Sequence, residues 1–497
     1  MELQIRKEIY PGLKTVLQDV RNCEQTLEMK LSEGMPDIGR ILSAWGQPVL
    51  RSKQWHIGQI QVSGGMTVWV LYMPEGEEQC RCLTGWIPFQ MDWEVPDDLQ
   101  EGEIRATLLT RFVDARSVSA RKIMVRAGMG AVVQALSPSE TAVSVPEQKE
   151  DGIEWLVHTY PMRLPREAGE KTFVLDEELP LPPSAPEGEK LLYYRLHPEI
   201  TDQKILGNRL VFRGNGNLHM LYLSEEGRLQ SCDLELPFSQ FAELKEMHSS
   251  DAQADVLLCP TNVEAELDDE GHIRVKTALV AQYLVDDVQM LSLAEDAYCP
   301  GREMKLQQET LPLPAILENR RENISGEQSL PDEMGFVTDL QFLPDHPRQR
   351  TTDKGIRLDL PGTVQALYYR EDGSLHGATV KWEGSRELPA HGNTALIAMP
   401  QPGKIQIQPD GGTVQLDIPV KLTFLENQGL PMVTGGELGD KIQPDLQRPS
   451  LLLKRVGEDG LWEIAKSSGS TRKAIREANG LEGEPIPGQM LLIPIGG

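Results

Sequence analysis

Apolar and polar residues alternate with period two through most of residues 1–440, and runs with helical spacing are scarce. That pattern predicts antiparallel strands. It also recurs. GQIQVSGGMTVWVLYMPEG begins at Gly58, GNRLVFRGNGNLHMLYLSEEGRL at Gly207 and GIRLDLPGTVQALYYREDGSL at Gly355. Each holds a glycine, an alternating strand, a bend, a second strand closing on Leu-Tyr, and an acidic turn. The pairs Leu71-Tyr72, Leu221-Tyr222 and Leu367-Tyr368 set a period of about 150 residues, which suits a row of domains better than a tightly coupled solenoid. Between residues 67 and 72 both alternation classes are apolar, Thr67, Trp69 and Leu71 against Val68, Val70 and Tyr72. A strand of that kind is expected to be buried on both faces.

The repeat extends further. GWIPFQMDWEVP parallels LELPFSQFAEL and, weakly, EGSRELPA. Pairs of alternating strands then follow at residues 103–129, 262–285 and 404–427. In the second and third copies, Asp-Glu-Gly and Asp-Gly-Gly stand between the strands, where glycine supplies the positive φ of a hairpin turn. The fold class is therefore mainly β, with three tandem β-sandwich or open-barrel units.

The pattern changes at the end of the chain. LLLKRV reads as a strand and residues 457–460 as a turn, with Asp459 able to cap the helix after it. Leu461, Ile464 and Ala465 share a helix face. Thr471 can cap a second helix with Ile475 and Ala478 inward, and Asn479-Gly480 ends it. Gln489 to Ile493 reads as a closing strand stopped by Pro494. The result is a small βααβ domain with a core centred on Leu461, Ile464, Ile475, Leu481 and Leu492. The domain organisation is then repeat one at 1–137, a linker at 138–152, repeat two at 153–305, a divergent repeat three at 306–434, a linker at 435–449 and the terminal domain at 450–497. A further polar stretch, 317–333, sits inside the start of the third repeat.

Composition narrows the function. At 497 residues, with 39% apolar and 25% charged residues, the chain can bury several cores. A net charge of -26 opposes binding to nucleic acid or anionic membranes. No basic-then-apolar leader opens the sequence, and no apolar run is long enough for a membrane helix. The six cysteines are thinly spread and read as free thiols. No GxSxG elbow, phosphate-binding GxxxxGK[ST] loop or i, i+4 histidine pair is present. The chain is therefore expected to be no enzyme, with no catalytic residues, no metal and no cofactor. Stacked β-units of this kind suit a scaffold offering surfaces and strand edges to other proteins.

The terminal 50 residues resemble a LysM domain. The likeness rests on Leu461-Trp462-Glu463-Ile464-Ala465, on Ile475 with Ala478-Asn479-Gly480-Leu481, and on Ile486-Pro487-Gly488-Gln489 through Pro494. LysM domains commonly bind N-acetylglucosamine-containing glycans in a groove between two loops. The resemblance assigns that groove to Gly457, Glu458, Asp459, Gly460, Leu461, Asn479, Gly480, Leu481 and Ile486. The usual Gly-Asp-Thr before Leu-Trp is replaced by Glu458-Asp459-Gly460, which removes a hydroxyl and adds a charge where a neutral sugar would sit. Trp462 stands beside the core face and reads as structural. The repeats are similar to the SPOCS domain of sporulation proteins, through LYM-PEG, the Ile-Pro-Phe step at 87–89 and SARKIMVRAGM at 119–129. The first unit fits best, the second keeps Leu236-Pro237-Phe238, and the third keeps the Leu-Tyr hairpin. SPOCS units with one C-terminal LysM resemble the SipL-like spore-coat morphogenetic family of sporulating Clostridia. That likeness implies an adaptor in the mother-cell cytosol at the forespore and spore-coat surface. Its LysM would dock to a SpoIVA-like coat ATPase, or alternatively to the glycan of peptidoglycan or cortex.

Overall fold

One pattern of strands is drawn three times. In the computed structural model, which describes residues 2–147, 152–268, 271–330, 334–389, 394–401, 403–408, 412–442, 449–457 and 460–495, the chain is mainly β, 76% strand against 3% helix. The first copy opens with the long strand β1 (Ile5–Lys30). A meander follows, β2 (Ile38–His56), β3 (Gln59–Pro74) and β4 (Arg81–Glu94), forming a sheet in the order β2-β3-β4. The chain then returns to its first strand through β5 (Glu103–Ser119) and β6 (Lys122–Pro146), in the order β1-β6-β5. The second copy repeats this with β7 (Glu154–Pro180), β8 (Gly188–Leu206), β9 (Arg209–Ser224), β10 (Leu229–Glu243), β11 (Gln253–Leu267) and β12 (His272–Tyr298), as sheets β10-β9-β8 and β11-β12-β7. In the third, β13 (Arg302–Ser329) opens; β14 (Phe336–Pro344) and β15 (Arg348–Thr352) together replace one strand before β16 (Gly355–Tyr369) and β17 (Leu375–Leu388). The pair β18 (Thr394–Pro400) and β19 (Lys404–Ile407) replaces another, and β20 (Thr413–Lys441) returns to β13.

Register defects repeat with the strands. The β2–β3 pairing slips at Ile38/Arg40, Ile41/Ser43 and Leu50/Ser52. The β8–β9 pairing slips at Gly188/Lys190, Leu191/Tyr193 and Ile200/Asp202, the same places in the repeat. In the third copy one slip stands at Val337/Asp339, and the last has widened into the break between Pro344 and Arg348. Bulges bend and twist a strand; shared bulges mean that the first two meanders bend alike.

The doubly apolar strand explains how the copies associate. On β3, Met66, Val68, Val70 and Tyr72 cluster with Ile123, Val125 and Met129 of β6, forming the unit's own core. Trp69 and Leu71, on the opposite face, cluster instead with Tyr193, Leu221 and Leu223 of the second unit and Leu367 and Leu375 of the third. Burying a leucine this way is worth about 1.5–3 kcal/mol relative to exposure. The meanders meet cyclically: β4 lies against β8, β10 against β14, and β17 against β2. The row of domains expected from the period is thus a closed head-to-tail ring, because each unit has a second apolar face that only its neighbours can cover. At one seam Gly377 of β17 lies so close to the Leu42 carbonyl of β2 that a Cβ would overlap it.

The expected linkers shrink accordingly. Residues 138–146 continue β6, paired with β1 as far as Ile5↔Pro146, and residues 435–441 continue β20. Of the polar stretch 317–333, residues 317–329 lie in β13. These extensions are two-stranded ribbons whose ends meet around Val143, Met162, Leu164, Leu291, Leu293, Leu430 and Met432. Ribbons with solvent on one side need few apolar residues, so their polarity resembled that of linkers. The six cysteines are free. No helix among the described residues is long and apolar enough to cross a membrane. The tail has the expected order, β21 (Leu451–Arg455), α1 (Leu461–Ser468), α2 (Arg472–Asn479) and β22 (Met490–Pro494), with β21 and β22 antiparallel.

Candidate functional site

The tail carries the residues named from sequence. Helix α1 is capped by Gly460, whose backbone is extended at φ -74 and ψ 172 and which brings no side chain to the task. A carboxylate from the other loop compensates: Glu484 Oε2 accepts from Leu461 N at 3.3 Å, and its Oε1 from Arg476 Nη2 at 3.2 Å. The two loops expected to form a groove are therefore strapped together at Leu461, and an acid stands between them. Thr471 caps α2 as expected, accepting from Ala474 N at 3.0 Å. Gly480 closes that helix in the left-handed region at φ 61. Asn479 is a strut. Its Nδ2 donates to Leu492 O at 2.6 Å and to Ile475 O at 2.8 Å, while its Oδ1 accepts from Leu492 N at 2.7 Å. Gly457 is exposed, Leu481 half-buried and Ile486 71% exposed; Glu458 and Asp459 lie outside the described residues.

Two core assignments are corrected. Leu461, Ile464 and Ile475 are buried, with Leu481 packed against them, but the closing strand turns Leu491 and Ile493 inward and leaves Leu492 at 38% exposure. Ala478 is exposed rather than inward. In an unbroken apolar run the face of a strand is undetermined by sequence, and a slip of one residue exchanges the faces. The outcome is an outward apolar surface: Leu451, Leu453, Met490 and Leu492 on the ribbon, with Ile486 on the loop. Sequence reading missed this face: it placed Leu492 in the core and Ile486 in the groove, and gave Leu451, Leu453 and Met490 no outward role.

The opposite side of the tail is fixed to the second unit. Trp462 Nε1 donates to Asp296 Oδ2 at 2.9 Å, and Lys466 Nζ reaches the same carboxylate at 2.6 and 2.8 Å. Tyr298 meets the Trp462 ring edge to face at 4.9 Å between centroids and donates from its hydroxyl to Ser470 O at 2.9 Å. Arg472 lies over the other side of the indole, 4.9 Å from the ring centroid, and donates to Trp155 O at 2.8 Å. Trp462 is thus a docking and core residue, only 7% exposed.

The ring axis holds a second polar assembly, drawn from all three units. Asp339 of β14 accepts from Trp45 Nε1 of β2 at 3.1 Å and bonds His219 Nε2 of β9 at 2.7 Å. His219 Nδ1 faces Asp233 at 2.7 Å. Burial and Arg195 oppose the charge on His219, but the two carboxylates overcome them and hold its pKa above the ordinary value. Burial likewise opposes the Asp339 charge, yet His219, Arg195 and Trp45 hold that carboxyl below its usual range. Trp45 stacks on Tyr193, 4.6 Å between centroids and 13° between planes. Deeper between the units, Arg105 and Lys421 both pair with Asp255, again one residue from each copy.

Residues 189–268 match the family model described as SipL, SPOCS domain. They span β8 to β11, the meander and first returning strand of the second unit. The match falls on the second unit rather than the first, where the sequence likeness was fullest. No curated protein and no solved structure matches the chain. The match points to a sporulation-related, SipL-like SPOCS protein. Its residues supply His219, Asp233 and Asp255 to the assemblies between units. One grouping among the described residues could hold a metal ion, Glu178, Asp268 and His272, with ligand atoms within 4.8 Å of one another.

Proposed function

We propose that this chain is a non-enzymatic adaptor in the assembly of a spore coat or envelope. Three SPOCS-like units form its rigid body and a LysM domain docks to a coat morphogenetic protein, a SpoIVA-like ATPase, at the forespore surface. The reading rests on the family match over residues 189–268 for its setting. A single observation carries the docking surface: the tail is pinned by its Trp462 side and leaves Leu451, Leu453, Met490, Leu492 and Ile486 exposed on the other. Contiguous exposed apolar side chains are a mark of protein-interaction surfaces. Glu484, bridging the two loops of the expected sugar groove, adds charge where a neutral glycan would lie. Two buried ionic groups, His219 with Asp339 and Arg105 with Asp255, join one unit to the next and so have a structural role.

The test uses purified components. The full chain should bind a SpoIVA-like ATPase in a saturable manner, and the double variant Leu453→Glu, Ile486→Glu should not. Sedimentation with purified sacculi should fail for both. Sacculus binding by the full chain, with no binding to the ATPase, would replace the adaptor reading with the glycan one.

A further inference from the structure

A cavity of about 720 Å³ lies where the three units face one another. Each unit contributes the same part of its fold: Pro48 of β2, Pro198 of β8 and Pro344 of β14 all line it, at one position of the repeat. The volume falls within the range of about 300–1,000 Å³ usual for small-molecule sites. Exposed Lys204 and Arg321 stand among the lining residues, so the cavity communicates with solvent.

Its wall is short of negative charge. Asp255 and Lys421 line it, with side chains 24% and 22% exposed, and Arg105 sits behind them at 4%. Two cations thus share one carboxylate. A second carboxylate in the wall, Asp286, is only 3% exposed, and its Oδ1 has no hydrogen-bond partner. Burial pushes Asp286 up to about 6, against the pull of Arg105 and Arg163, so it is a weak countercharge in mildly acid solution. Burial, and then Arg105, bring Lys421 down to about 7. The other charged groups in the wall are Arg195, Glu199, Lys204, Arg320 and Arg321, of which Arg195 lies beside Asp339 and Arg320 pairs with Glu322, and His197 is kept neutral by burial and Arg195. On a chain of net charge -26 the surface as a whole repels anions. A cationic cavity at the centre of such a chain selects them locally.

We propose that this central cavity binds a small multivalent oxyanion, a phosphate- or polycarboxylate-bearing molecule, with Lys421 as the cation that engages it. The ligand adds negative charge beside Asp255, the one carboxylate that Arg105 and Lys421 share, and because the wall belongs to all three units it clamps the ring. Charge-assisted hydrogen bonds of this type are the strong ones.

Calorimetric titration of the full chain tests this with inorganic sulfate, tricarballylate, and sorbitol as a neutral control. Sulfate stands for the tetrahedral oxyanions and keeps its charge across the range. One or both anions should bind saturably at one site per chain, and sulfate more tightly at about pH 6 than at about pH 8, since Lys421 is brought down to about 7. Sulfate alone would identify the phosphate type, tricarballylate alone the carboxylate type. Lys421→Met should weaken binding about ten- to a hundredfold, the loss expected of one charged hydrogen bond. Lys421→Arg should keep binding and flatten its pH dependence. Absence of saturable binding by either anion overturns the proposal, as does equal binding by sorbitol. If Lys421→Met does not fold, the arginine variant decides, and a pH profile as steep as that of the unaltered chain refutes it.

Discussion

At the ring axis Trp45 gives its indole N–H to Asp339, and at the tail Trp462 gives its own to Asp296. Each carboxylate has a second, basic partner, His219 in one case and Lys466 in the other. The surroundings differ. The Asp339 side chain is 2% exposed and its partners come from two other units; Asp296 is 18% exposed and Lys466 43%. Nearly the same constellation therefore carries different weight. A charge already withdrawn from water is costly once its partner is lost, whereas a half-hydrated pair falls back on solvent. The axis is built to hold three units as one body, and the tail to be held in place.

The largest effect is expected from Asp339→Ala. It leaves His219 Nε2 and the Trp45 N–H unpaired inside the axis, and should cost about 3–5 kcal/mol of unfolding free energy. Urea denaturation would read the loss, and small-angle scattering would read an opened ring. A cost as small as that at the tail would erase the distinction between the two junctions.

The next effect is a dependence on pH at the axis. His219 has its pKa raised in the fold, so the stability it contributes is complete below its ordinary value of 6.5 and is lost as pH rises through the raised one. The gap in stability between the unaltered chain and His219→Gln should therefore narrow from mildly acid to mildly alkaline solution. A gap that stays constant would mean that His219 is neutral in the fold.

Where the sequence was readable, the reason is local. The two apolar faces of residues 67–72, the Thr471 cap and the Gly480 helix end are each set by a few neighbouring residues, and each lies where it was expected. The axis was not readable, because its residues depart from the repeat. Opposite the leucine of each Leu-Tyr pair stand Ser43, Tyr193 and Asp339, three different residues at one register position. Two strand positions on, Trp45, Arg195 and Gln341 differ again. The contacts there are between unlike groups, Trp45 and His219 both on Asp339, so each copy carries a different residue at the axis. Comparing repeats finds what they share and discards the residues that join them. The tail error has another source. Met490 to Ile493 is apolar throughout, so no alternation marks Leu491 as inward and Leu492 as outward.

A smaller effect is expected at the tail junction. Asp296→Ala frees Lys466 and the Trp462 N–H, yet both can reach water once the tail lifts. The cost should be about 1 kcal/mol, at the upper end for a partly exposed pair, and should fall on docking rather than on folding of the body. Proteolysis near residues 449–457 should accelerate while the main urea transition stays in place. Simultaneous loss of both would make the tail part of the ring's cooperative unit.

The smallest effect on stability should come with the largest on binding. Leu453 is 63% exposed and Ile486 71%, so converting either to Ser removes little buried surface. The change should stay within about 0.5 kcal/mol by thermal unfolding. A fold indifferent to two large apolar side chains offers no structural reason for keeping them bare on the surface. If they serve a partner, the same variants should weaken its binding by about tenfold or more each, as truncations in the centre of an interface do. If stability falls by several kcal/mol instead, these side chains belong to the tail's own packing, and the surface contrasted with the buried axis is not a docking face.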